Sequence, residues 1–311
     1  MNVIETNNLT KAYSTPQGAF TALHNLDLTV HQGEIFGYLG PNGAGKTTTI
    51  RMLLDFIRPT SGRARVLGLD AQKDSVEIHK RVGFLPGELN LWKNQKSIDI
   101  VRYFGRVRGG VELAYVHELA ERLQFDLNKR VREYSTGNKR KLGLILALMH
   151  KPELLILDEP TSGLDPLMQQ TFNQLMRDIR DEGRTVFLSS HILSEVQAIC
   201  ERVAVLRGGE LKAVERVDKL THAEFRWVTV RVENATGLQE HLAQVPGVGK
   251  VETVRNGHTA IRMQLNGDFD PLLRALSSAY VIDLHVEEPT LEDIFLAFYD
   301  NEQTVNKERV S

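Results

Sequence analysis

The chain of 311 residues is long enough for two domains of ordinary size, each with an apolar core. With 38 Lys and Arg against 40 Asp and Glu, its formal charge of -2 excludes a globally basic surface for nucleic acid. Cys200 is the single cysteine, so no internal disulfide can form, which suits a reducing compartment.

In chain order, Met1 to Thr10 is polar and lacks an apolar stretch, which predicts no secretory signal. Glu34 to Leu39 reads as a buried strand, Thr47 to Leu54 as a helix, and Val82 to Leu85 as a second buried strand. Residues 97–149 carry helical patterns with no strand between them, and predict a helical subdomain inserted between sheet strands. The most apolar run in the chain, Leu142 to Met149, falls far short of the ~18–20 residues needed to cross a bilayer. Any work at a membrane therefore requires a second polypeptide. Leu154 to Leu157 and Thr185 to Leu188 are further buried strands, followed by helical patterns at Leu167 to Arg180 and Leu193 to Arg202. Cys200 is thereby expected as a small buried hydrophobe inside a helix. Alternation of this kind predicts an α/β domain built on a largely parallel sheet, closed by a hairpin at Arg207-Gly208-Gly209-Glu210.

From about Phe225 the pattern becomes strand, helix, strand, strand, helix, strand: Arg226–Val232, Gly237–Val245, Gly249–Arg255, Thr259–Leu265, Pro271–Ser278 and Val281–Val286. That order predicts a small α+β domain of ferredoxin-like arrangement. A last helix, Pro289 to Tyr299, has proline at a favoured first-turn position and Leu291, Ile294, Phe295 and Phe298 on one face. The acidic group Glu287, Glu288, Glu292 and Asp293 reads chiefly as a capped helix start. The expected domains are 1–220, with the helical subdomain at about 97–150, and 221–311.

Gly40-Pro41-Asn42-Gly43-Ala44-Gly45-Lys46-Thr47 fits G-x-x-x-x-G-K-[ST] without a mismatch, between a strand and a helix. Its glycines allow backbone N–H groups to turn around phosphates, and the helix that follows points its positive end at the same anion. Lys46 is expected to reach the β- and γ-phosphates and the Thr47 hydroxyl to ligate Mg²⁺; Thr48 joins the expected ATP-binding set. Leu154 to Leu157 leads into Asp158-Glu159-Pro160-Thr161, so a buried strand delivers two carboxylates beside the phosphate loop. Asp158 is placed to hold Mg²⁺ through water, and Glu159 to polarise the attacking water. The blander reading of both acids is a cap on the next segment.

Around that core the sequence resembles the ATP-binding cassette family. Tyr134-Ser135-Thr136-Gly137-Asn138 stands where that family carries its signature, usually Leu-Ser-Gly-Gly-Gln. Ser162-Gly163-Leu164-Asp165 matches its D-loop, Ser189-Ser190-His191 its switch histidine, and Tyr13 the aromatic that stacks on adenine. The ordered set covers roughly the first 215 residues. The resemblance implies a cassette dimer, identical or mixed, in which Ser135, Thr136, Gly137 and Asn138 close over ATP held by the opposite subunit. It further implies that His191 contacts the γ-phosphate. Read as ordinary structure, His191 is a surface helix cap and Tyr13 an edge aromatic packed on a sheet.

Two departures stand out. The family's glutamine after the strand corresponding to Val82 to Pro86 is replaced by Gly87-Glu88, which leaves Glu88 as a candidate metal ligand or hands the position to water. The basic cluster Lys129, Arg130, Arg132, Lys139, Arg140 and Lys141 surrounds the signature and reads mainly as a solvated face. Together these features imply an ATP-hydrolysing subunit on the cytoplasmic face of the membrane, working with a multi-spanning permease. The Gly87-Glu88 pair and the ending Glu288 to Phe295 resemble cassettes of bacterial drug, antibiotic and polysaccharide exporters. The competing function is a soluble cassette ATPase on ribosomes or DNA, but the chain carries neither a second cassette nor a long coiled-coil insertion. A third, non-hydrolysing regulator, is opposed by Glu159. The C-terminal domain is expected to strengthen dimerisation or to regulate the cassette.

Overall fold

The computed structural model describes residues 1–15, 18–220, 225–233, 237–256, 258–277, 279–287 and 289. The chain divides into two compact units, Met1–Val217 and Asp218–Ser311. The first unit opens with β1 (Asn2–Thr15), β2 (Gly18–Leu26), β3 (Thr29–His31) and β4 (Ile35–Leu39), then α1 (Lys46–Leu53). Next come β5 (Ser61–Val66), β6 (Leu69–Asp70), α2 (Ser75–Arg81) and β7 (Val82–Leu85). The helical segment holds α3 (Ser97–Val107), α4 (Leu113–Arg122), a single 3-10 turn at Val131–Glu133 and α5 (Thr136–Leu148). The chain then returns to the sheet with β8 (Leu154–Asp158), α6 (Pro166–Asp181), β9 (Thr185–Ser190), α7 (Leu193–Ile199), β10 (Arg202–Arg207), β11 (Glu210–Arg216) and α8 (Val217–Leu220).

The main sheet has the order β11-β10-β4-β9-β8-β7. Strands β10, β4, β9, β8 and β7 run parallel, and β11 returns antiparallel to β10. The hairpin between them uses Gly208 and Gly209 at φ 57 and 79, the pair of left-handed residues that a tight two-residue connection needs. Strands β4, β8 and β9 are buried along their whole length, as their continuous apolar runs require of parallel strands covered on both faces.

A second, antiparallel sheet of order β2-β1-β5-β6, with β3 on β1, lies outside the sequence expectation. Its first strand does not alternate cleanly. Asn8 adopts a left-handed φ of 47, and the pairing of β1 with β5 shifts register between Asn7 and Thr10. A bulge of this kind erases the period-two signal. Between the two sheets, Ile4, Leu23, Val30, Phe36, Tyr38, Ile50 and Phe187 form a fully buried core.

Helix α7 ends three residues earlier than its sequence pattern suggests. Cys200 is buried as expected, but it is extended (φ -84, ψ 146) just past the helix rather than inside it. The cause is β10, which begins at Arg202 and requires the chain to straighten. Gly37 on β4 lets this corner pack closely, since a Cβ there would lie 2.6 Å from Val196 Cγ1 and 3.2 Å from Cys200 Sγ.

The second unit contains β12 (Phe225–Val232), α9 (Leu238–Leu242), β13 (Val248–Asn256), β14 (His258–Asn266), α10 (Asp270–Leu276) and β15 (Val281–Glu287). They form an antiparallel sheet of order β13-β14-β12-β15. Val228, Val230, Leu242, Ile261, Met263 and Leu272 make its separate core. The final helix expected over Pro289 to Tyr299 lies outside the described residues, Pro289 excepted, as do Glu288, Glu292 and Asp293. Among the described residues, no helix is long and apolar enough to cross a membrane.

Candidate functional site

Four neighbouring parallel strands end side by side, and each hands over a segment singled out by the sequence. β4 leads into Gly40, β9 into His191, β8 into Glu159, and β7 into Pro86 and Gly87. The register pairs Leu39 with Ser190, Asp158 with Ser189, and Leu85 with Leu157. The pairing continues past the strands through Gly40 N–H to Ser190 O at 3.2 Å and Glu159 N–H to Ser189 O at 3.2 Å. The C-terminal edge of a parallel sheet is where such folds assemble ligand sites.

The loop from Gly40 to Gly45 turns through Gly43 and Gly45, at φ 80 and 106, conformations that glycine reaches without a Cβ penalty. Gly45 also packs under β2, where an added Cβ would lie 2.6 Å from Ala22 O. It caps α1, whose first turn is braced from below: Tyr38 Oη and Thr49 Oγ1 share a hydrogen bond of 3.0 Å, and Thr49 Oγ1 donates to Gly45 O at 3.1 Å. Burial pushes the Tyr38 phenol far above its ordinary range.

Lys46 is buried, 6% exposed, and its ammonium donates to Gly40 O at 2.6 Å and Pro41 O at 3.2 Å. It also lies 3.3 Å from Glu159 Oε1. The other carboxylate oxygen, Oε2, accepts from His191 Nδ1 at 2.7 Å. A carboxylate oxygen only accepts, so Nδ1 carries the proton in this contact. Glu159 thus bridges the phosphate-loop lysine and the histidine from the next strand. Its backbone is left-handed at φ 51, an uncommon conformation for a residue with a side chain, and its N–H also donates to Ser189 Oγ at 3.1 Å. Thr47 Oγ1 donates to Asp158 Oδ2 at 2.9 Å, while Ser189 Oγ donates to Asp158 Oδ1 at 2.5 Å. Both carboxylate oxygens of Asp158 are therefore fixed. Thr47 and Asp158 present two hard oxygens together, the donor type that a magnesium ion accompanying a nucleotide takes when phosphate and water complete its shell.

Gly87 lies beside this pair: a Cβ there would sit 3.2 Å from Asp158 Oδ2. Glu88 is exposed and makes no hydrogen bond or ion pair with a described residue. The structure does not bring Glu88 to Thr47 or Asp158, because position 87, not 88, is the one turned toward the carboxylate.

Ser135 caps α5, its Oγ accepting from Asn138 N–H at 3.3 Å, with Ser135 and Thr136 exposed at the helix N-terminus. Gly137 meets the loop before α6, where an added Cβ would lie 2.7 Å from Gly163 O. Asp165 caps α6, accepting from Met168 N–H at 2.9 Å, and Pro166 takes the first helical position. Tyr13 is exposed on β1, in register with Phe20 of β2, and Lys11 Nζ stands 5.0 Å from its ring centre.

Within the basic cluster around the signature, the structure separates one residue from the rest. Lys129, Arg130 and Arg132 are exposed, and Lys139 and Lys141 half-buried, as a solvated face requires. Arg140 is 4% exposed and points inward to main-chain carbonyls of the β7 and β8 ends. Reading the cluster as one solvated face is therefore wrong at this position. A signal existed, since Arg140 lies three residues from Gly137 and Gly143 and four from Leu144, on the apolar phase of the helix.

Close to the β7 end, an apolar groove of 320 Å³ is lined by Leu54, Phe56, Phe84, Pro86, Leu91 and Met149, among others. Phe56 forms its wall, 53% exposed and 5.6 Å from the Phe84 ring.

A phosphate loop on the central strand, with paired acids and a histidine on the strands beside it, defines a phosphate-loop nucleoside triphosphatase. The comparisons narrow the class. The family model for the ABC transporter matches residues 23–162. The bacitracin transport ATP-binding protein BcrA of Bacillus licheniformis is 32% identical over 299 residues, which cover 94% of this chain and 96% of that protein. BcrA of Enterococcus faecalis is 37% identical over 219 residues, 70% of this chain and 69% of its own length. Among solved structures, an ATP-binding subunit of an ABC transporter superposes with a TM-score of 0.64 at 25% identity, covering 71% of this chain and 92% of its own. The dimeric post-hydrolysis cassette MJ0796, bound to ADP and Pi, matches the fold with a TM-score of 0.62 at 23% identity, over 69% of this chain and 98% of its own. The chain belongs to the ATP-binding subunits of ABC transporters. It binds ATP and hydrolyses it in the service of transport; action on ribosomes or DNA is not favoured.

Proposed function

We propose that this chain is the cytoplasmic, membrane-peripheral ATPase of an export system, and that the convergence of Lys46, Thr47, Asp158, Glu159 and His191 is its catalytic half-site. The observation that carries the reading is the Glu159 carboxylate, held between Lys46 and His191 at the end of the strand that also delivers Asp158. Gly40 to Thr48 cradle the ATP phosphates through backbone N–H groups, with Tyr13 against the adenine. Lys46 exchanges Glu159 for a phosphate oxygen, which frees the carboxylate to accept a proton from the attacking water. His191 orients that water and the γ-phosphate. Thr47 and Asp158 would hold a magnesium ion, which would supply charge neutralisation at the phosphates.

Ser135 to Asn138 form a second helix N-terminus suited to phosphate, with Ser135 and Thr136 exposed at the surface. Their place is over the ATP of a second cassette, with the loop through Asp165 lining the same interface. The apolar groove at Phe56 and Phe84 suits a helix of the multi-spanning permease. Domain 1–217 carries the ATPase and the second unit an accessory, dimer-strengthening role. The names of the BcrA relatives, bacitracin transport proteins, support an antibiotic-type cargo.

The test is reconstitution with the multi-spanning protein that co-purifies from membranes. ATPase activity stimulated by that partner, with cargo leaving the ATP-containing side, is the expected result. Recovery of the chain with ribosomes or DNA instead of a membrane protein would overturn the reading.

A further inference from the structure

Arg140 holds its guanidinium in a setting that consists of main-chain carbonyls. Nη1 donates to Pro86 O at 2.8 Å and Gly87 O at 2.9 Å. Nη2 donates to Asp158 O at 2.5 Å and to Glu159 O, and Nε donates to Pro160 O at 3.2 Å. A guanidinium has five N–H donors in a rigid fork, so every donor has a carbonyl. No carboxylate stands within ion-pair distance among the described residues, and burial lowers the affinity of this guanidinium for its proton against the raising effect of Asp158 and Glu159. A buried cation arranged in this way is costly to place and serves by where it fixes the backbone.

The carbonyls it gathers belong to two segments that the strand ladder does not tie together at this point. Successive carbonyls of an extended chain point to opposite sides. Those of Asp158, Glu159 and Pro160 converge on one guanidinium because Glu159 takes its left-handed conformation. Ser189 holds the Glu159 N–H through both its carbonyl and its hydroxyl. The backbone of Glu159 is therefore clamped between β9 and an arginine of α5. That same arginine lies five residues beyond Ser135, the cap of α5, and grips the Gly87 carbonyl beside Asp158.

We propose that Arg140 is a positioning residue for ATP hydrolysis. It locks the signature helix, the β7 end and the Glu159 backbone into one unit, so that a shift of Ser135 and Gly137 moves the carboxylate with it. The proposal rests on the reading of Glu159 as the group that activates water. Arg140 is buried and spends its donors on main-chain carbonyls, so its effect falls on turnover rather than on phosphate binding, which belongs to the loop of α1. Lysine cannot replace it, because one ammonium carries three donors from a single point and cannot span two segments.

The test compares full-length Arg140→Ala, Arg140→Lys and Glu159→Gln proteins with the parent. Measurements are steady-state ATP hydrolysis, binding of a fluorescent ATP analogue, and thermal melting. Arg140→Ala and Arg140→Lys should keep analogue affinity and lose roughly 10²-fold in kcat, the cost of misplacing a catalytic group by about 1 Å. Millimolar guanidinium chloride, but not ammonium chloride, should restore part of the Arg140→Ala turnover, since the free ion has the same planar fork. Wild-type kcat in both arginine variants would overturn the proposal. So would a joint fall of kcat, affinity and melting temperature with no rescue by guanidinium, the pattern of a scaffold residue. Normal turnover in Glu159→Gln would remove the role of Glu159 itself, an outcome distinct from low turnover there with full activity in Arg140→Ala.

Discussion

Replacing Glu159 by glutamine should move binding and turnover in opposite directions. The Lys46 ammonium lies 3.3 Å from Glu159 Oε1, with the lysine 6% and the glutamate 21% exposed. At that separation the attraction is ~5 kcal/mol for an effective dielectric near 20 and ~1 kcal/mol for bulk water. Solvent reaches the glutamate, so ~1–2 kcal/mol is the part that must be surrendered when Lys46 turns to phosphate. A neutral amide removes that competition and the repulsion between carboxylate and γ-phosphate. ATP should therefore bind ~5- to 30-fold more tightly to Glu159→Gln. Loss of the proton acceptor should lower kcat by ~10²–10⁴-fold. Equilibrium titration with a fluorescent ATP analogue and a phosphate-release assay on the same preparation give both numbers. Weaker nucleotide binding in the variant would refute the competition between Glu159 and phosphate for Lys46, and a kcat close to that of the parent would refute the proton-acceptor role.

Three further outcomes follow from the geometry. Lys46→Ala should weaken ATP binding by ~10²-fold or more, because a cation about 4 Å from phosphate contributes on the order of 4 kcal/mol; undiminished affinity by calorimetry would remove Lys46 from the phosphate site. Gly137→Ala sets a methyl group 2.7 Å from the main-chain Gly163 O, so kcat should fall ~10-fold and stability by about 1–3 kcal/mol, and full turnover would show that this contact is idle. His150 is held neutral by burial, with Arg108 adding to the effect, its pKa falling from 6.5 to about 4, while its Nε2–H donates to Val82 O at 3.2 Å and Nδ1 is buried without a hydrogen-bond partner. The unfolded chain takes up this proton first, so stability present above pH 6.5 is lost as the pH falls toward 4. Melting curves across that window should be less steep in pH for His150→Gln, and an unchanged slope would exclude His150 as the cause.

The sheet and its loops were legible in the sequence because their signals are local. Leu154 to Leu157 is a short continuous apolar run of the kind a covered parallel strand carries, and the glycines of the phosphate loop mark turns that other residues resist. The antiparallel sheet of β1, β2, β5 and β6 was not legible, since the left-handed Asn8 and the register shifts of β1 break its alternation. Arg140 stayed hidden for a different reason. Between Lys139 and Lys141 it shares the composition of a solvated face, and only its phase on α5, or the carbonyls waiting for it across the fold, sets it apart. The end of α7 was missed because β10 begins at Arg202, and a long-range pairing overrides local helix preference.

The meeting of Gly137 with Gly163 has a consequence for the conditions under which such a machine works. In the proposed cassette pair, two segments that face the neighbouring subunit pack closely through uncharged groups, the main chain of Gly137 and Gly163 and the methyl of Thr136. A displacement received by one is handed to the other by steric exclusion, which neither salt nor pH attenuates. Signalling between the two ATP sites of a cassette pair would then hold its strength across ionic conditions that alter the surface charges around it.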